Sequence, residues 1–280
     1  MSKYVEELNQ SGFTVMYEIF TSSDIEEMKR AYTEIRNKAN DILNTTCAYE
    51  RRWYENDQET VSKYWKYKEY PTTSSSSSSS SNCVFQTVEE QSITKTTTQM
   101  GIGKNCIILQ AGEDRYDLWK GFSDQIPDHI LSNSYIEELM KKLLLNNYSK
   151  YSGVIMSNPG SKDQYFHRDT DCLQNLGSDG RLLVQLDPFY YTVLIPISVD
   201  MTIMNGTTEF MVGSHLKPSD EFDGLPLIQS VVPVGSAVIF DGKINHRGKA
   251  NNSNDERPCI YQVYHKRWYN DQFRTGVCED

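Results

Sequence analysis

The second half of this chain is a succession of short apolar runs broken by Gly, Pro, Asn and Asp, at residues 153–157, 182–186, 190–197, 208–212, 227–232, 236–240 and 258–264. Short strands at close spacing with turn residues between them form antiparallel sandwiches or barrels. From Tyr151 onward the chain is therefore expected to be β.

The first half has a different texture. Gly12-Phe13-Thr14-Val15-Met16 reads as a short β segment, and Thr21-Ser22-Ser23-Asp24 supplies helix caps, with Glu26 three residues after Ser23. Ile25, Met28, Tyr32 and Ile35 follow at helical spacing with charged residues between them, the pattern of a helix packing one stripe on a core. Residues 132–145 repeat it, with Ile136, Leu139, Met140, Leu143 and Leu144 opposite Glu137, Glu138, Lys141 and Lys142. Between these helices lie a Tyr/Trp-rich stretch from 53 to 70 and an unbroken serine run, Ser74–Ser81. A polar homopolymer has no apolar surface to bury, so 71–82 is expected to be a flexible insertion. Residues 1–280 are thus read as one domain, with a helix-rich part over 1–150 and a barrel core over 151–268.

Hydrophobic residues make up 38% of the chain, enough for a real core, and the net charge of −10 argues against affinity for nucleic-acid phosphates. No run approaches the length of a membrane span. The start, Met1-Ser2-Lys3-Tyr4-Val5, lacks the pattern of a signal peptide, so the cytoplasm is the expected compartment and a monomer the default state. The six cysteines, at 47, 83, 106, 172, 259 and 278, are too scattered for a disulfide scaffold or a cysteine zinc site.

Chemistry concentrates around Tyr165-Phe166-His167-Arg168-Asp169. On an extended strand, residues i and i+2 share a face, so His167 and Asp169 would converge on one ion. His246, following the strand Val238-Ile239-Phe240-Asp241, is a third candidate ligand. Two imidazoles and one carboxylate with open positions are the ligand set of non-haem Fe(II) oxygenases rather than of structural zinc. Arg257, eleven residues after His246, is placed to clamp a dicarboxylate bidentately. By strand parity Cys259 and Tyr261 share its face. Asp171 also alternates onto the His167 face as a competing carboxylate, while His129 and His265 have no ligand partner at short spacing.

His167-Arg168-Asp169, His246 and Arg257, in this order and spacing, resemble the phytanoyl-CoA dioxygenase-like family of Fe(II)/2-oxoglutarate oxygenases. The hairpin Asn205-Gly206-Thr207-Thr208-Glu209-Phe210-Met211-Val212-Gly213-Ser214-His215 resembles one of that family, with Val212 where proline is usual. Gly235–Asp241, Asn252–Arg257 and Gly12–Val15 are similar to further family segments. The resemblance covers about 8–40 and 130–268, and implies a double-stranded β-helix, mainly β with flanking helices. It implies Fe(II) held by His167, Asp169 and His246, with O2 and 2-oxoglutarate as cosubstrates and Arg257 on the far carboxylate. It favours Asp169 over Asp171 and assigns His215 a buttressing role. Thr192 stands where similar proteins carry a polar residue near the cosubstrate, Gln164 is a candidate of the same kind, and Cys259 stands where relatives often have serine. Arg168 departs from the glutamine common there, which argues against the usual cosubstrate contact at that position.

The expected function is oxidation of a C–H bond in a small molecule, by hydroxylation, desaturation or oxidative cyclisation, in specialised or amino-acid-derived metabolism. Halogenases of this kind lack the carboxylate ligand, so Asp169 argues against halogenation. Hydroxylation of a protein residue, or an inactive barrel serving as a binding module, are the alternatives; a complete triad with Arg257 argues against the latter.

Overall fold

In a computed structural model of the chain, the described residues are 1–45, 49–52, 64–67, 108–119, 121–170, 175–176, 182–184 and 186–269. The serine run, the aromatic stretch apart from 64–67, Asp171 and every cysteine except Cys259 lie outside them. In chain order the elements of the first half are α1 (Ser2–Ser11), β1 (Phe13–Met16), α2 (Ser22–Thr45), β2 (Tyr49–Arg52), β3 (Tyr64–Tyr67), β4 (Ile108–Gln110), β5 (Arg115–Leu118), α3 (Asp128–Leu131) and α4 (Ser134–Leu144). The second half adds β6 (Tyr148–Ser157), β7 (Asn175–Leu176), β8 (Leu182–Val184), β9 (Tyr190–Pro196), β10 (Thr208–Met211), β11 (Leu227–Gln229), β12 (Ala237–Asp241), β13 (His246–Gly248) and β14 (Arg257–Lys266).

The larger sheet runs β1-β12-β9-β14-β6-β5-β4-β2-β3, antiparallel except where β2 meets β4, and the smaller runs β11-β10-β13. β7 and β8 form a separate pair. Residues of both sheets line one cavity, so the sheets stand as the two walls of the expected double-stranded β-helix. Outside the larger sheet, Met28, Ile35, Ala39 and Ile42 of α2 and Ile136, Leu139, Met140 and Leu144 of α4 join Val193, Ile195, Ile239, Ile260 and Tyr264 in one core. Helices cover one face of β12 and the cavity side is also enclosed, so all five of its residues are buried. That explains why the sequence shows continuous apolar runs instead of a clean polar alternation.

The helices start as physical chemistry dictates, although one residue pattern differs from expectation. At α2 the box is made by Thr21 and Asp24, not Ser23 and Glu26: Asp24 N–H donates to Thr21 Oγ1 at 3.2 Å, and Thr21 N–H donates to Asp24 Oδ2 at 2.8 Å. Glu26 pairs instead with Lys29. Asn133 caps α4 by accepting from the Tyr135 and Ile136 amides. The elements α1, α3, β2, β3, β4, β5, β7 and β13 have no counterpart among the expected segments. No described helix is long and apolar enough to cross a membrane.

Candidate active site

The two histidines are joined first by backbone. His167 and His246 form an antiparallel bridge, each N–H donating to the other's carbonyl at 2.9 Å, so His167 extends the smaller sheet by one position beyond β13. Their rings stand 4.5 Å apart between centroids. Directly after the bridge the chain bends, and the Asp169 N–H donates to the Gly242 carbonyl at 2.9 Å. This departs from the expectation of a regular strand through 167–169: a bend, not strand parity, turns Asp169 toward the histidines. His246 likewise does not end the strand of Phe240. Its own strand, β13, lies in the opposite sheet, reached by the turn 242–245.

Within this frame one ligand atom from each of His167, Asp169 and His246 lies within 4.8 Å of the others. Nδ1 of His167 contacts the Tyr165 carbonyl at 2.9 Å, and Nδ1 of His246 the Ile244 carbonyl at 3.0 Å. A carbonyl only accepts, so both Nδ1 atoms carry the proton, and each Nε2 keeps a lone pair for a metal. These Nε2 atoms stand 3.9 and 3.6 Å from Asp169 Oδ1. That separation is beyond a good hydrogen bond yet suits ligands that each lie about 2.0–2.2 Å from one shared ion. Thr192 Oγ1 donates to the other carboxylate oxygen, Oδ2, at 2.6 Å and so fixes which oxygen faces the imidazoles. The donor set fits a divalent iron with positions left for other ligands.

The opposite end of the cavity is cationic. Arg257, 4% exposed, donates from Nε to the Asn205 carbonyl at 3.1 Å and from Nη2 to Ser157 Oγ at 2.7 Å. Its Nη1 lies 3.7 Å from Cys259 Sγ, and burial pushes that thiol's pKa up, so it remains a neutral neighbour. Between the two ends, Tyr151, Ile155, Tyr190, Leu194, Phe240, Tyr261 and Val263 form an apolar and aromatic wall, with the Tyr151 and Tyr190 hydroxyls 2.9 Å apart. Gly153 carries no side chain, and a Cβ there would collide with the ring of Tyr261. The missing atom lets the tyrosine lie flat on β6.

The structure therefore brings His167, Asp169, His246, Arg257, Thr192, Gln164, Cys259 and Tyr261 to one cavity of about 130 Å³. Gln164 lines it with both amide atoms engaged: Nε2 donates to the Ala111 carbonyl at 3.0 Å, and Oε1 accepts from the Gly248 amide at 2.9 Å. Arg168 points elsewhere, donating from Nη2 to the carbonyls of Ser214 and Lys217 and stacking on Phe222. His215 contacts the Asn9 carbonyl, and His129 pairs with Asp24. Sequence reasoning missed Arg115, Asp117 and Ser157, all buried polar residues with 1% exposure or less; Arg115 and Asp117 line the cavity, and Ser157 is the hydroxyl that Arg257 contacts. The available signal was the alternation Arg115-Tyr116-Asp117-Leu118, which is polar on the inward face and apolar on the outward one.

The chain is 33% identical over 159 residues to the Fe(II)/2-oxoglutarate-dependent dioxygenase nvfF of Aspergillus novofumigatus, an overlap covering 51% of each. It is 27% identical over 158 residues to the dioxygenase hkm4 of Aspergillus hancockii, covering 55% of this chain and 50% of that one. The chain spans about half the length of the curated relatives it matches. Among solved structures, AviO1 from Streptomyces viridochromogenes Tue57 superposes with a TM-score of 0.58 at 14% identity, over 96% of both chains. The non-heme alpha ketoglutarate dependent carbocyclase SnoK from nogalamycin biosynthesis superposes with a TM-score of 0.58 at 12% identity, over 100% of this chain and 91% of that one. Those likenesses establish the shared fold. The family model for phytanoyl-CoA dioxygenase (PhyH) matches residues 8–259, a span holding His167, Asp169, His246 and Arg257, and the chain belongs to the phytanoyl-CoA dioxygenase family.

Proposed function

We propose that this chain is an Fe(II)- and 2-oxoglutarate-dependent oxygenase that oxidises a C–H bond of a small molecule, by hydroxylation, desaturation or cyclisation, and that residues 1–280 act as one domain. The observation carrying this reading is the convergence of His167, Asp169 and His246 at one end of a cavity whose other end holds buried Arg257. Relatives named dioxygenases support it. The biosynthetic setting of the structural neighbours agrees with a substrate from specialised metabolism.

When bound, iron with 2-oxoglutarate and O2 supplies the oxidising chemistry. The protein's own contribution is positional. His167 and His246 hold the metal through Nε2, each imidazole locked by its Nδ1–carbonyl bond, and Asp169 offers Oδ1 while Thr192 occupies Oδ2. Arg257 gives a fixed guanidinium for the far carboxylate of the cosubstrate. Cys259 and Tyr261 continue the same face beside it, and Gln164 closes the edge between Ala111 and Gly248. The aromatic wall of Tyr151, Tyr190 and Tyr261 offers an apolar bed for substrate and limits water near the reacting centre.

The test is succinate release from 2-oxoglutarate with Fe(II) under air, together with iron content. Wild type should bind one iron per chain and form succinate, and His246→Ala should lose both. A variant retaining full iron-dependent turnover would remove His246 from the ligand set, and a wild type that never forms succinate would overturn the oxygenase reading.

A further inference from the structure

Val263 is the last residue of β14 that lines the cavity, and by strand parity His265 is the next on that face, directly opposite Tyr190 of β9. The preceding pair is Thr192 with Val263, and Thr192 holds the Asp169 carboxylate. His265 therefore stands one pleat, about 7 Å along the strands, past the iron site on the side away from Arg257. Three tyrosine rings frame its imidazole, with centroids 6.1 Å away for Tyr151, 6.2 Å for Tyr190 and 6.0 Å for Tyr269. Its Nδ1 contacts the Lys266 carbonyl at 3.0 Å, so that nitrogen donates and the neutral ring keeps its lone pair on Nε2. Nε2 has no hydrogen-bond partner among the described residues.

Geometry and charge narrow what this lone pair can meet. Arg257 gives the cosubstrate the other end of the cavity, so a substrate reaches the iron from the His265 end. Of the charged side chains lining the cavity, Arg115 and Arg257 share the level of Ser157, Asp117 stands opposite Ile155 one level on, and Asp169 belongs to the iron site. The cations around the His265 end turn elsewhere: Lys150 pairs with Glu137, Lys266 donates to the Leu144 carbonyl, and Lys243 reaches the Leu186 carbonyl at 3.4 Å. Among the described residues this end thus offers aromatic faces and one fixed acceptor, with no charge aimed at an ion. An acceptor in such a place selects ring compounds that carry a donor over isosteres that lack one.

We propose that His265 is a specificity-determining residue of the substrate site, accepting through Nε2 a hydrogen bond from an O–H or N–H group of an uncharged, ring-bearing substrate seated against the tyrosines. This rests on the oxygenase reading above. Anchoring the donor one pleat from the iron fixes which C–H bonds of the ring system reach the metal. The rival role for His265 is packing within the tyrosine frame, and the two roles differ in how they treat ligands of the same shape with and without a donor.

The experiment titrates 2-naphthol, which carries a hydroxyl, 2-methylnaphthalene, which has the same shape without it, and the anion 2-naphthoate into protein loaded with Fe(II) and 2-oxoglutarate without oxygen. Probe fluorescence reads binding, the visible charge-transfer absorption of the chelate reports the loaded site, and thermal melting is followed in parallel. His265→Phe keeps a ring among the tyrosines and removes the acceptor. It should weaken 2-naphthol about three- to tenfold, the range for one neutral hydrogen bond, and leave 2-methylnaphthalene unchanged. His265→Gln, which returns an acceptor, should recover most of that loss. An equal effect of His265→Phe on both probes, a wild type that binds neither, or tighter binding of 2-naphthoate than of 2-naphthol overturns the proposal. Should His265→Phe not fold, His265→Leu carries the same comparison, with the loss again expected for 2-naphthol alone. Absent chelate absorption in wild type overturns the oxygenase reading itself, whereas normal absorption with no selective loss overturns this inference alone.

Discussion

Thr192 shows how one residue can be legible in kind while its contact to a neighbouring ligand is not. Its position suggests a polar contact to the cosubstrate, whereas its hydroxyl donates to Asp169 Oδ2. Thr192→Val keeps the shape and removes that donor. It should weaken iron binding about ten- to a hundredfold, the range for losing a group that orients a metal ligand. Thr192→Ser should restore it, and metal titration with and without 2-oxoglutarate reads the difference. A Val variant with normal metal affinity but poor cosubstrate affinity would return Thr192 to the expected role. The triad and Arg257 were readable because ligand chemistry restricts residue type tightly at short spacing. Ser157 was not, since a serine's usefulness here lies in facing two arginines from neighbouring strands, and no local pattern encodes that.

At the scale of elements, strands covered by helices on one side were visible as apolar runs, and β5 was not. Its buried inward residues are Arg115 and Asp117, so a rule that equates inward with apolar reads it as a surface loop. The short strand β13 was hidden for a related reason: three residues, one of them a candidate ligand, offer no periodicity. The junction of α1 and β1 is equally tertiary. Gly12 ends α1 at φ 85°, and a Cβ there would sit 2.7 Å from Nδ1 of His215, which itself contacts the Asn9 carbonyl. Burial first, opposed by that carbonyl contact, lowers the His215 pKa to about 4. A folded-state value below the unfolded one means that the unfolded chain takes up the proton first, so His215 costs stability as pH falls from about 6.5 towards 4. Burial pushes Asp241 up to about 6, which works in the opposite direction over much of the same window. The informative measurement is therefore a difference. Between pH 6.5 and 4.5 wild type should lose about 1–3 kcal/mol more than His215→Gln in denaturant unfolding. Parallel pH profiles would show that His215 is not the group responsible.

For the whole molecule, the division of labour between sheets matters most. His167 and His246 stand on the smaller sheet's side and Arg257 on the larger, so a cosubstrate that reaches from one to the other ties the walls together. Metal plus 2-oxoglutarate should raise the melting temperature more than the two separate effects added, because each ligand completes the other's site. Arg257→Ala should keep the increment from metal and lose the cooperative part, a contact of about 1.5–3 kcal/mol. Purely additive shifts in wild type would show that the two ends are occupied independently.

The backbone bridge between His167 and His246 has a consequence for how the protein ages. Residues far apart in sequence are already held face to face by two amide hydrogen bonds, so closing that long loop is achieved by the sheet and not by the ion. Ferrous iron exposed to oxygen and an uncoupled cosubstrate will oxidise and be lost. A site whose ligands scattered on losing the ion would be spent at that moment, whereas this one should persist as a reusable socket. Chelator-stripped protein should keep its β-sheet circular dichroism and, given fresh Fe(II) and a reductant, return to one iron per chain without a refolding step. The working life of the site would then be set by the supply of iron and reductant around it, and not by the number of times its metal has been lost.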